Sequence, residues 1–529
     1  MQRYDAVIVG AGHNGLVTAA YLAKAGKKVM VLERRHLIGG AAVSEQLYPG
    51  FTYSSCSYVC SLLRPEIMRD LDLPRHGLQV NPYETSSCPT HHGEPLVMYH
   101  DADRNRRSMS RHSARDAEAY DCYSLEIRRQ CRFIKPLLMM TPPDPTSFKW
   151  GDIEGLLRLG RTFGQMGERQ MYDILRFWTM SIADFLDEYF ESEIVKALSA
   201  GSSIIGTALG PRSPGSAYVL LHHYMGEVDG EIGAWGFARG GMGSVSKAIA
   251  GAAREAGAEI RTEAEVTAVI VKGGKAVGVA LADGEEVYGT AIVSNLDPKR
   301  TFLKILPRQH LPEEVYEQAE RFKIRGSSGK LNIALDALPQ FKGLPYDAHC
   351  GAIEIGDSLD YLERAFDDYK YGQWSRRPFL DIVIPSTVDP TMAPPGKHYM
   401  SVFVQYVPYK LADGPWTDEK RQAFGDTVID TISEYCPNFR DLILHCQVRT
   451  PWDLENEVGL TEGNIFHGEL TLDQLMFNRP FPGAAQYRTP VRNFYMCGSG
   501  THPGGGVMGA PGANAAREIL KDFKGRVLS

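Results

Sequence analysis

The chain lacks a redox dithiol. Its nine cysteines are scattered, an odd number with no CxxC pair. Cys56 and Cys60 are the closest couple, and their spacing matches no redox or zinc motif. Reduced, mostly buried thiols in a reducing compartment are expected, with no disulfide exchange and no metal centre. Also missing is any apolar run approaching the ~18 residues of a transmembrane helix. There is no basic excess, since 57 Lys and Arg face 64 Asp and Glu for a formal charge of −7. That balance argues against nucleic acid as a partner, because phosphate binding needs clustered cations. The one basic cluster, Arg104-Asn105-Arg106-Arg107, reads as a solvated loop. The first apolar run stands too near the start to leave room for a signal or transit peptide. A cytoplasmic location is expected, or the mitochondrial matrix if a presequence has been removed.

What is present fits an enzyme of two or more domains: 529 residues, 43% apolar, 23% charged, with 53 glycines. Asp5-Ala6-Val7-Ile8-Val9 is an apolar run that breaks into Gly10-Ala11-Gly12-His13-Asn14-Gly15. A helix-forming stretch follows, Leu16 to Ala25, and a second apolar run, Val29 to Leu32, ends on Glu33. This is strand, glycine turn, helix, strand, acid, in the order of the dinucleotide fingerprint. Gly10 allows the tight turn, Gly12 admits the pyrophosphate to the backbone, and Gly15 lets helix and strand pack closely. N–H groups at the helix start face the phosphates. Glu33 suits ribose hydroxyls and disfavours an added phosphate.

Residues 34–42 separate FAD from NAD. Arg34 follows the acid, and Gly39-Gly40-Ala41 gives the backbone a second close approach to the nucleotide, typical of flavoproteins. Far away, Gly498-Ser499-Gly500 to Gly504-Gly505-Gly506 leads into another small-residue helix. A ligand served by both chain ends is long and extended, which points to FAD. A helix beginning near Met508-Gly509 would aim N–H groups at the flavin edge that becomes negative on reduction.

Between the ends, residues 110–200 read as helical, with one amphipathic stretch from Asp173 to Phe190. Gly240-Gly241-Met242-Gly243 opens a helix to Ala256. Strands are then expected at Gly257 to Ile260, Val266 to Val271, Ala276 to Ala282 and Ala291 to Asn295, with a hairpin at Asp283-Gly284. In Gly329 to Leu335, alternation puts Lys330, Asn332 and Ala334 on one face. A lysine in such a strand usually faces solvent. If that face looks into a flavin cavity instead, Lys330 can hold a water near flavin N5. His502 is a candidate acid or base, or a residue that orients the glycine loop. Tyr218, His222, His223 and Trp235 cluster before the second glycine block and are candidates for a substrate cavity, or for core.

The glycine turn with its His-Asn pair, Gly39-Gly40, the 240–243 block and Gly498–Gly512 resemble the phytoene-desaturase-like flavoproteins, within the wider group of amine oxidases and carotenoid desaturases. Pro214 to His223, Gly233 to Gly236, Pro385 to Gly396, Leu472 to Leu475 and His502 to Gly509 narrow the likeness. Together they look most like the pyridine nucleotide-disulfide oxidoreductase domain-containing protein 2 family, with the carotene ketolases more distant. The resemblance implies non-covalent FAD contacted by Gly10, Gly12, Gly15, Glu33, Gly40 and Val266, the last near the adenine. It places Gly498, Ser499, Val507, Met508 and Gly509 along the ribityl chain and flavin ring. Many relatives carry Asp where Ser499 stands; serine can still bond a ribityl hydroxyl but removes a charge. Lys330 corresponds to a lysine of amine oxidases that holds water near N5.

The expected architecture is α/β with an α+β substrate part. A Rossmann-like FAD-binding domain is assembled from discontinuous segments, 1–80, 236–324 and 456–529. A mainly helical region spans 81–235, and a substrate-binding domain with strands spans 325–455. The expected activity is an FAD-dependent oxidoreductase that takes a hydride into flavin N5 from a small or apolar organic substrate. A carotenoid-type desaturase, isomerase or ketolase, with a peripheral membrane contact, stands as an alternative. So do an amine oxidase and an FAD-containing binding protein without turnover.

Overall fold

A run of apolar residues with partners on both sides becomes a central strand, and alternate side chains then need two separate cores. In the computed structural model, which describes residues 3–91, 93–165, 167–525 and 528, Arg3–Val9 occupies the middle of a seven-stranded sheet. Val29–Leu32 pairs with it in parallel on one side and Glu286–Ser294 on the other. Glu259–Arg261 extends the sheet past Val29–Leu32, and Phe494–Met496 joins beside the end of Glu286–Ser294. The antiparallel pair Val266–Lys272 and Lys275–Leu281 completes it. Ala6 and Ile8 enter one core with helices His13–Lys24, Gly243–Glu255 and Ala510–Lys524. Val7 and Val9 enter the other, under Phe302 and Ile305. The sheet is thus a Rossmann-like unit built from three separated stretches of chain.

The second domain is another seven-stranded sheet, in the order Ile443–Arg449, Ser328–Leu335, His398–Gln405, Phe379–Val383, Ala352–Ile355, Thr85–Cys88, Leu96–Tyr99. All its pairs are antiparallel except that between Ala352–Ile355 and Thr85–Cys88. Two expectations are corrected here. The stretch from 85 to 99, assigned to the helical region, supplies two strands to this sheet. Thr85-Ser86-Ser87-Cys88 has no apolar alternation to announce a strand, and one of its two ladder partners, Ala352–Ile355, lies far along the chain. Arg104 to Arg107 lies not in a loop but in the helix Ala102–Ser110, capped by Asp101 accepting from the Arg104 N–H.

The amphipathic stretch from Asp173 to Phe190 spans two helices, Glu168–Thr179 and Ile182–Asp187. Ser181 starts the second by accepting from the Asp184 N–H at 3.0 Å, while Gly215 N–H takes the freed Thr179 and Met180 carbonyls. A serine with a hydrogen-bonding partner three residues on favours a new N-terminus over helix continuation. Phe148 and Trp150 stand 93% and 74% exposed in the helical region. Among the described residues no helix is long and apolar enough to cross a membrane, and all nine cysteines are free thiols.

The two chain ends meet where His13–Lys24 crosses Ala510–Lys524. A Cβ on Gly512 would stand 2.2 Å from the Asn14 carbonyl oxygen, and one on Gly15 would stand 2.4 Å from that of Gly10. Thr18 Oγ1 donates to the Gly512 carbonyl at 3.0 Å across the crossing. Gly512 has helical backbone that alanine would otherwise favour. Gly512→Ala is therefore expected to destabilise the fold by about 1–3 kcal/mol through overpacking. Denaturant unfolding reads this directly, and an unchanged or raised midpoint contradicts the packing described.

Candidate functional site

A cavity of about 430 Å³ runs from the first glycine turn to the second sheet. Its nucleotide end is shaped by backbone. Gly10 sits at φ +94°, in the left-handed region, and turns the chain out of the strand. Asn295 holds that turn, its N–H donating to the Val9 carbonyl at 2.9 Å and its Nδ2 to that of Gly10 at 3.3 Å. The second glycine pair closes onto the first turn. Gly39 N–H donates to the Ala11 carbonyl at 2.9 Å, and a Cβ on Gly40 would lie 3.2 Å from the Gly12 Cα. Glu33, 7% exposed, ends its strand with its carboxylate accepting from the Ala11 N–H at 2.8 Å and the Arg35 N–H at 3.0 Å. Arg34 donates to the Glu457 carbonyl at 2.9 Å. Gly10, Gly12, Glu33, Arg34, Gly39, Gly40, Ala41 and Val266 all line the cavity.

From the other chain end, Ser499 and Val507 line it too. Ser499 Oγ accepts from Asn14 Nδ2 at 3.0 Å, joining the N-terminal turn to the C-terminal segment. Gly15, Gly498, Met508 and Gly509 are not among the residues that line it. Each acts one layer behind: Gly15 packs on Gly10, a Cβ on Gly498 would meet the Asn295 carbonyl at 2.8 Å, and the Met508 carbonyl accepts from the Arg64 N–H. Gly509 is the left-handed N-cap of Ala510–Lys524. A helix start leaves N–H groups without intrahelical partners.

The second-domain end of the cavity contains Lys330. The strand that carries it is buried on both faces, because the segment after Phe51–Ser54 covers the side that alternation left open. Lys330 is 4% exposed and donates to the carbonyls of Ser54 and Cys56, the latter at 2.7 Å. Its ammonium lies 5.4 Å from the Tyr58 ring centroid. Burial pushes its pKa down to about 7, with the Arg449 charge adding to the effect and Cys56 opposing it. The solvent-facing alternative is overturned.

The other candidates divide. His223 and Trp235 line the cavity, their rings stacked at 6.0 Å, and burial pushes His223 down to about 4. Tyr218 and His222 do not line it, which corrects their assignment to the cavity. Tyr218 packs edge-on to Trp178, and His222 Nε2 bonds the Gly505 carbonyl at 2.8 Å, holding the glycine loop. His502 is also outside the wall: its Nε2 bonds the Leu137 carbonyl at 2.8 Å, and burial pushes it down to about 4. That bond supports the orienting alternative for His502.

Several wall residues were not anticipated as site residues. His13 Nε2, Asn14 Oδ1 and His467 Nδ1 are buried, line the cavity and have no protein partner among the described residues. Burial pushes His13 down to about 3, with His467 adding to the shift, so both rings stay neutral. Unpaired buried polar atoms are costly, and a glycine cradle with such atoms along it fits a polar nucleotide. His13 and Asn14 stood next to the glycines in sequence; His467 carried no signal.

Comparison with known proteins agrees with this geometry. A family profile described as NAD(P)-binding Rossmann-like domain matches residues 8–71, and one described as flavin containing amine oxidoreductase matches residues 180–520. The chain is 43% identical to the mouse (Mus musculus) pyridine nucleotide-disulfide oxidoreductase domain-containing protein 2, covering 98% of this chain and 94% of that one. It is 27% identical to a limonene dehydrogenase polypeptide of Castellaniella defragrans, covering 99% and 95%. The structure of cyclohexylamine oxidase from Brevibacterium oxydans superposes with a TM-score of 0.59 at 16% identity, covering 99% and 100%, which is a likeness of fold.

If Glu33 holds the ribose, Glu33→Gln removes a charge-assisted hydrogen bond worth about 1.5–3 kcal/mol. FAD retention, read as the flavin dissociation constant, is then expected to weaken by roughly tenfold or more. An unchanged constant contradicts the role given to the carboxylate.

Proposed function

The chain belongs to the flavin-containing amine oxidoreductase family and is an FAD-dependent oxidoreductase, and from that premise we propose that it oxidises an organic substrate at a carbon held between the flavin and Lys330. The observation that carries this reading is the burial of Lys330 in the wall of the cavity that also holds both glycine turns. When bound, FAD would supply a hydride acceptor at flavin N5, reoxidised by oxygen or another acceptor.

The nucleotide end is the part that would bind and orient. Glu33 would accept from ribose hydroxyls, the Gly12 and Gly40 backbones would admit the pyrophosphate, and Ser499 with Asn14 would meet the ribityl chain. At the reacting end, Tyr58, Trp235, Phe403 and Phe466 supply aromatic walls that exclude water. Lys330 handles the proton. As a neutral amine it spends both N–H groups on the Ser54 and Cys56 carbonyls. Its lone pair then faces the cavity and can take a proton from a water or from the substrate. As an ammonium it presents a third N–H to the same place and cannot accept.

This arrangement sets the sign of a pH effect. The neutral, accepting form prevails above about pH 7, so substrate-dependent flavin reduction should rise as pH climbs through that value and level off above it. Lys330→Met keeps the side-chain length and removes the amine. It is expected to keep FAD, to lose the ionisation near pH 7, and to slow reduction on the order of 10²-fold, the usual contribution of acid–base catalysis. Stopped-flow absorbance across pH measures both, and a Lys330→Met protein with the wild-type pH profile counts against the reading.

A further inference from the structure

A second cavity, of about 500 Å³, lies beside the first, and Trp235 belongs to the wall of both. Its inner end holds two acids on neighbouring strands. Glu354 and Asp381 are direct partners in the antiparallel ladder, so both side chains project from the same face of the sheet. Asp381 is 5% exposed and accepts from the Tyr58 hydroxyl, the same Tyr58 that lines the flavin cavity under Lys330. Asp381 Oδ1, Glu354 Oε2, Tyr123 Oη and Ser199 Oγ are all buried, all belong to this wall, and have no partner among the described residues.

The charges on the wall are unevenly placed. Arg106, Asp121, Arg128 and Glu231 are exposed at the rim, where Arg106 pairs with Asp121 at 2.9 Å. Among the described residues no cation stands in the inner wall to balance the two acids. Burial raises both of their pKa values, Asp381 to about 6 and Glu354 well above its usual range. Both are thus harder to ionise than a free carboxyl, a cost that a cation brought to them would offset. The Tyr123 and Ser199 hydroxyls stand unpaired in the same wall, and buried polar groups are costly to leave so unless a ligand completes them.

We propose that this chamber binds the cationic nitrogen of a small organic molecule, an alkylammonium or guanidinium group, held by Glu354 and Asp381. The walls favour an organic cation over a metal ion. Tyr83, Tyr120, Tyr224 and Trp235 present aromatic rings to the space, and such rings attract organic cations. Among the described residues no group of three or more His, Cys, Asp or Glu side chains is placed to hold a metal. Trp235 belongs to both walls, so the chamber adjoins the flavin cavity. Binding of the cation does not rest on the function proposed above.

The test is calorimetric titration of the FAD-loaded protein with butylammonium, butylguanidinium and diaminobutane, with butanol as the neutral counterpart. The cations are expected to bind and butanol is not. Glu354→Gln combined with Asp381→Asn should weaken cation binding at least tenfold while the flavin spectrum stays unchanged. Ser199→Phe, which adds a ring to the wall and leaves both acids in place, should abolish binding, and it serves if the double variant fails to fold. A holoenzyme that binds none of the three cations overturns the proposal, as does undiminished binding in either folded variant. Cation binding by a protein that takes up no FAD would instead leave the chamber standing and remove the flavin reading.

Discussion

The structure depends on how closely two backbones can approach. The first helix and the last cross with no side chain between Gly512 and the Asn14 carbonyl, and the Asn14 amide reaches Ser499. That contact brings a turn made by residues 10–15 against a segment made almost five hundred residues later. Without it, the nucleotide end of the cavity would have one wall. Asn295 on the middle segment braces the same turn from the sheet. Three stretches of chain are thereby held to one extended ligand, and small residues are needed wherever they meet.

The second domain solves a different problem. A lysine inside a strand is tolerable only if its charge is relieved or its N–H groups are met. Here two backbone carbonyls meet them, and burial makes the neutral form accessible near pH 7. The covering segment that supplies those carbonyls returns from the second glycine pair through the hairpin of Ser44–Tyr48 and Phe51–Ser54, and its Ser57 N–H donates to the Ala41 carbonyl at 3.0 Å. The nucleotide end and the cover over the amine are therefore tied together. Tyr58, a few residues on, extends the same line to Asp381 and into the neighbouring chamber.

Local patterns announced much of this. Strand, turn, helix, strand and acid in the first forty residues need only near neighbours, and each fell where periodicity put it. The middle strands and the helix after Gly243 were equally legible, since hairpin turns and glycine starts are written in contiguous residues. The features that escaped depend on distant partners. Thr85–Cys88 is a strand because Leu96–Tyr99 and the distant Ala352–Ile355 pair with it, not because of its own composition. Alternation placed Lys330 on a face but could not say that residues 54–56 would cover that face. His222 and His502 looked like chemistry in sequence, yet each is bound to a backbone carbonyl and holds a loop. Glu354 and Asp381 gave no sign, because a charged residue in a strand reads as solvent-facing until another layer closes over it.

The central claim is that both chain ends build one site for non-covalent FAD. The absorbance spectrum of the gently purified protein, taken before and after denaturation, tests it most directly. The account predicts flavin bands at a stoichiometric level, with FAD released intact into the supernatant. A protein without those bands that recovers none when FAD is added would contradict it.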